Sequence, residues 1–92
     1  MAIYSGQTTV ATAGTAVQLG SGSVNGPLTI AALVTNTDII AVGNVNEDVT
    51  VNNGFILSPG DLLTLDWVGN LSHIFIDSAV NGEGVAWIYN LL

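Results

Sequence analysis

Gly84-Val-Ala-Trp-Ile-Tyr-Asn90 is the stretch on which the fold class turns. Side chains alternate across a strand, so Val85, Trp87 and Tyr89 share one face and Ala86, Ile88 and Asn90 the other. Both faces are largely apolar, which predicts a strand that is central in its sheet or covered by a second chain. Working outward, Asp61-Leu-Leu-Thr-Leu-Asp-Trp67 sets Leu63, Leu65 and Trp67 against Leu62, Thr64 and Asp66. His73-Ile-Phe-Ile-Asp77 sets Ile74 and Ile76 against His73, Phe75 and Asp77. Earlier candidates are Gln7–Val10, Ala16–Leu19, Pro27–Val34, Asp38–Val42, Val49–Val51 and Phe55–Leu57. No window carries a helical stripe capped at both ends.

Turn residues separate these runs. Asn25-Gly-Pro27, Asn52-Asn-Gly54, Ser58-Pro-Gly60 and Asn81-Gly-Glu-Gly84 supply residues that accept positive φ or preset a bend. Asn53-Gly54 reads as a hairpin between Val51 and Phe55, and Pro59-Gly60 as the centre of a type II turn. Short strands at such spacing predict an all-β domain: a small antiparallel sandwich or jelly-roll-like barrel of about seven to eight strands. One domain spans 1–92. Residues 1–6 are either an ordered strand or an N-terminal arm that crosses to a neighbour. The small-residue patch Thr8–Ala16 is either an edge strand with its turn or part of such an arm.

The chain has 92 residues, 49% apolar and 8% charged, with Lys+Arg 0, Asp+Glu 7 and a formal charge of -7. Without cationic side chains it has nothing to neutralise phosphates, which argues against nucleic acid and against anionic membrane surfaces as partners. Cys is 0, so there is no disulfide and no thiolate metal site. The opening Met1-Ala-Ile-Tyr-Ser-Gly6 has neither a basic region nor an apolar core, and no signal peptide is expected. Apolar runs such as Ile30–Val34 fall far short of the roughly 20 residues that span a bilayer. A domain this small hides only about 60–65% of its unfolded surface, so surplus apolar residues are expected at a subunit interface.

Candidate chemistry is sparse. His73 with Ser72 and Asp66 or Asp77 has the residue types of a nucleophilic triad, but no strained nucleophile elbow accompanies them. His73 reads instead as a strand-start residue. Asn44-Val-Asn-Glu-Asp48 concentrates oxygen ligands without EF-hand spacing and reads as a solvated loop, with weak Ca²⁺ binding the alternative. Asp61 and Asp66 fall on opposite faces of one strand, which does not make a glycosidase pair. Asp77 and Glu83 flank a turn and are expected in solvent. No catalytic residue, cofactor, metal site or small-molecule substrate follows from these residues, and the expectation is a protein that is not an enzyme. Trp67, Phe75 and Trp87 are expected in the core. Tyr4, outside the strong strands, reads as an interface anchor. Ile3, Val10, Trp87 and Tyr89 complete the candidate interface.

Thr8-Thr-Val-Ala-Thr-Ala-Gly-Thr-Ala-Val-Gln-Leu19 resembles the opening of short proteins from tailed-phage structural gene clusters. Asn53-Gly-Phe-Ile-Leu-Ser-Pro-Gly-Asp61 and Asp77-Ser-Ala-Val-Asn-Gly-Glu-Gly-Val85 are similar to their middle and closing segments. The likeness covers Gln7 to Tyr89. It implies a small all-β virion component of the capsid decoration or cement type: a homotrimer on the outer surface of the head, with the major capsid protein as partner. It carries over no catalytic residue. The chain departs from such proteins in having no Lys or Arg, which removes any contact that depends on basic groups. The alternative is a glycan- or receptor-binding module of a head fibre or tail, suggested by the Asn-rich loops and aromatics.

Overall fold

The computed structural model describes residues 2–43 and 49–91, and all structural statements concern these. Ten strands follow one another: β1 (Ala2–Thr9), β2 (Val17–Gln18), β3 (Ser23–Val24), β4 (Leu28–Ala32), β5 (Ile40–Gly43), β6 (Phe55–Leu57), β7 (Leu62–Leu65), β8 (Gly69–Asn70), β9 (Phe75–Ser78) and β10 (Gly84–Leu91). A 3-10 turn, Leu71–His73, lies between β8 and β9. One four-stranded sheet runs β1-β10-β4-β7 and a second runs β2-β9-β5-β6, while β3 and β8 form a short ribbon. Every pairing is antiparallel. The molecule is thus an all-β sandwich-like fold, as its alternation and turns predict.

The chain crosses repeatedly between sheets, so each sheet is assembled from segments distant in sequence. The inner face of the first sheet contributes Leu28, Ile30, Ala32, Val85 and Tyr89 to the core. The second contributes Ile40, Val42, Leu57 and Ile76. Burying each such side chain contributes about 1.5–3 kcal/mol, which is what holds two short-stranded sheets together. β10 lies between β1 and β4, the central position expected of it.

Several expectations are resolved or corrected. Of the two readings left open for the N-terminal stretch, residues 2–6 take the strand: they form the first half of β1, paired with β10 from Ala2↔Leu91 to Gly6↔Trp87. Local sequence hides this strand because Ser5, Gly6 and Gln7 have little β-propensity, and its partner lies at the other end of the chain. Val49–Val51 is not a strand. The N–H groups of Asn53 and Gly54 both donate to the Thr50 carbonyl, closing a turn there, and β6 pairs with β5 instead. Trp67 is 69% exposed because β7 ends at Leu65 and the indole lies beyond the sheet. Asp77 is 1% exposed rather than solvated. The Pro59-Gly60 turn is as expected, with Gly60 at φ 87° and the Asp61 N–H donating to the Ser58 carbonyl at 2.9 Å.

Candidate functional site: an uncovered, uncharged sheet face

The two sheets differ in what lies on their outer faces. On the second sheet, Asp77 stands opposite Ala41 in register, and both are buried. The Asp77 carboxylate accepts from the Gly14 N–H at 2.9 Å, which draws the turn after β1 across the face. The Thr50–Gly54 turn packs on the same face, where a Cβ on Gly54 would stand 2.9 Å from the Ala41 Cβ. The centre of the second sheet's outer face is therefore covered by its own chain, while Ile56 beside Ala41 stays 39% exposed.

The first sheet has no such cover. Its outer face carries Ile3, Ser5 and Gln7 from β1, and Ala86, Ile88 and Asn90 from β10. Thr29 and Ala31 of β4 and Leu62 and Thr64 of β7 complete it. None of these residues is charged. Ile3 is 67%, Leu62 65% and Ile88 47% exposed. Thr29 and Thr64 satisfy each other through a hydroxyl pair at 3.0 Å, leaving less unmet polarity on the surface. On either side of Ile88 lie shallow depressions of about 290 and 230 Å³. Such a face can bind by apolar burial, and its hydroxyls, those of Ser5, Thr29 and Thr64, share it with no carboxylate or imidazole.

The acids flank this face instead of entering it. Asp61 and Asp66 lie just before and just after β7. The Glu83 carboxylate accepts from the N–H and hydroxyl of Thr37 at 2.6 and 2.8 Å and from the Asp38 N–H at 3.2 Å. The Thr37 backbone bond is the main cause holding its pKa below the ordinary value, with burial opposing and the Thr37 hydroxyl and Asp38 N–H assisting. Glu83 thus staples one loop, and Asp61, which accepts from the Ser58 N–H at 3.0 Å, staples another.

The five candidate interface residues separate. Ile3 and Tyr4 stand at the surface, Trp87 is half-buried, and Val10 and Tyr89 are packed in the core. Val10 at 0% exposure has no surface to offer a partner. Tyr4, Trp87 and Tyr89 form an aromatic stack on the inner side, with centroid spacings of 5.5 and 5.8 Å. Trp87 lies over Gly6, where a Cβ would stand 2.6 Å from the indole, and its N–H donates to the Thr8 hydroxyl at 3.1 Å. Sequence reading passed over the outer set Ala86, Ile88, Thr29 and Ala31, although period-two alternation would have paired them once the strand order was known.

His73 ends the 3-10 turn, its Nδ1 3.5 Å from the Val68 carbonyl oxygen, too long for a strong bond. The Asp77 carboxylate is engaged elsewhere, with Gly14 and Ser78. Among the described residues no three His, Cys, Asp or Glu side chains cluster to hold a metal. The Asn44–Asp48 loop lies outside the described residues. No helix among them is long and apolar enough to cross a membrane. Searched against protein-family models, curated proteins and solved structures, the chain matches none.

Proposed function

We propose that this is a structural assembly protein: a phage capsid decoration or cement protein that sits as an oligomer, a homotrimer in the simplest form, on the outer surface of the head. It would bridge neighbouring copies of the major capsid protein. The observation that carries the reading is the uncovered face of the first sheet, which combines exposed Ile3, Leu62 and Ile88 with no charge in a chain of net charge -7. A shell protein of this kind needs a rigid scaffold with one adhesive face and a surface that repels non-specific contact. Docking is driven by apolar burial, and the surrounding acids favour approach to a basic patch on the shell.

Copy number per particle tests the reading, measured on purified virions against the major capsid protein. Chymotrypsin is the protease to use, since a chain with no Lys or Arg has no tryptic site. Hundreds of copies in simple ratio to the capsid protein are expected. A handful would move the protein to a fibre or tail and favour the glycan-binding alternative, for which exposed Trp67 is a stacking platform. Its absence from virions would end the proposal. At the site itself, Ile88→Asp places a charge in the middle of the face. It should weaken recruitment to purified capsids by about tenfold or more while leaving the melting temperature near wild type.

A further inference from the structure

The backbone bonding parity of the first sheet identifies which groups are left over. The Val10 N–H donates to the Glu83 carbonyl at 2.9 Å, and the register continues in steps of two through Thr8↔Val85, Gly6↔Trp87 and Tyr4↔Tyr89. The even residues of β1 therefore spend their N–H and C=O groups on β10. The Leu33 N–H donating to the Gly84 carbonyl on the far side of β10 fixes the same parity independently. It follows that Ile3, Ser5, Gln7 and Thr9 turn their backbone donors and acceptors toward the open edge of the sheet.

Open edges are normally short, charged, bulged or interrupted by proline. The other three edges of the two four-stranded sheets fit that rule. β2 has two residues, β6 has three, and β7 has four set between Asp61 and Asp66. β1 does not: it is eight residues long, pairs without a bulge, and contains neither charge nor proline. In a chain whose charged side chains are all acidic, a second copy is repelled wherever acids lie, and β1 itself carries none.

We infer that β1 is a homotypic docking edge that pairs antiparallel with β1 of a second copy of this chain. Strand pairing brings odd residues opposite odd residues, so Ser5 lies at or beside the two-fold axis. The donors and acceptors of one edge then match those of the other, and the uncharged outer faces join across eight strands. A symmetric contact of this kind is isologous and closes as a dimer, distinct from the heterologous contact a trimer requires. It concerns the isolated protein and stands apart from the capsid proposal.

Sedimentation equilibrium of the purified chain across micromolar to submillimolar concentrations tests it. A mass rising to twice 9.4 kDa is expected. Ser5→Pro removes only an edge-facing N–H, leaving the β10 bonds intact, and should weaken the dimer by about tenfold or more because the loss counts twice. Ser5→Glu, an exposed change that spares the backbone, should dissociate it at neutral pH through like-charge apposition and decides the matter where the proline variant does not fold. Thr64→Glu, on the opposite edge, should leave the mass unchanged. A chain monomeric throughout overturns the inference. So does a dimer indifferent to Ser5→Glu, a mass of three chains, or dissociation by Thr64→Glu, which would indicate head-to-tail sheet continuation.

Discussion

The Asp77 carboxylate is a buried acid in a chain without basic side chains, and it is satisfied by two backbone N–H groups, those of Gly14 and Ser78, each at 2.9 Å. Removing it leaves the Gly14 donor unpaired and uncovers the outer side of Ala41. Asp77→Ala should cost about 1–3 kcal/mol in a chemical denaturation curve, and Asp77→Asn less, because an amide oxygen still accepts. Gly84 is a different constraint. A Cβ there would overlap the Thr8 carbonyl oxygen and come within 2.7 Å of the Thr9 Cα, both of them backbone that has no rotamer by which to yield. Gly84→Ala should therefore destabilise by about 3 kcal/mol, seen as a lower denaturation midpoint with an unchanged slope.

At the scale of elements, the end of the sandwich near Thr9 is held by side chains that substitute for strand pairing. Asn36 donates to the Gly84 carbonyl at 2.8 Å and accepts from the Gly84 N–H at 3.2 Å, continuing the ladder one step past β4. Glu83 binds the next loop through Thr37 and Asp38. Its pKa is lowered on folding, so the unfolded chain binds the proton more readily. The resulting stability is complete above the ordinary value of 4.5 and is lost as pH falls through the lower folded value. The melting-temperature gap between wild type and Glu83→Gln should therefore narrow as pH drops below 4.5. None of this was legible locally. Asn36 and its partner are 48 residues apart, and an Asn in a polar loop gives no sign that it will be buried. By contrast β4, β7 and β10 were plain, because each alternates apolar residues over four or more positions.

For the molecule as a whole, seven acids and no Lys or Arg mean that side-chain electrostatics is largely self-repulsion. Screening should relieve it. The Debye length shrinks from about 30 Å at 0.01 M to about 3 Å at 1 M salt, so the melting temperature should rise with sodium chloride. A fall on adding modest salt would contradict the charge pattern. Cohesion rests on apolar contact between the sheets, and the same logic carries to contacts between molecules: the residues of β1 and of the outer face of the first sheet include no acid.

The sequence by itself determined the fold class, the two-faced apolar character of β10 and the Ser58–Asp61 turn, because these follow from residue periodicity and local backbone preference. It also determined that charge would oppose self-association. Only the tertiary structure decided which apolar residues remain outside. Val10 and Ile3 look equally suited to an interface in sequence, yet one is sealed in the core and the other stands open. The reason is that exposure depends on strand register and on what covers each face: Val10 continues the inward-facing even residues of β1 into the core, whereas Ile3 is an odd residue on the outer face. Here Asp77 and the Thr50–Gly54 turn cover the centre of one sheet's outer face, and no segment among the described residues covers the other.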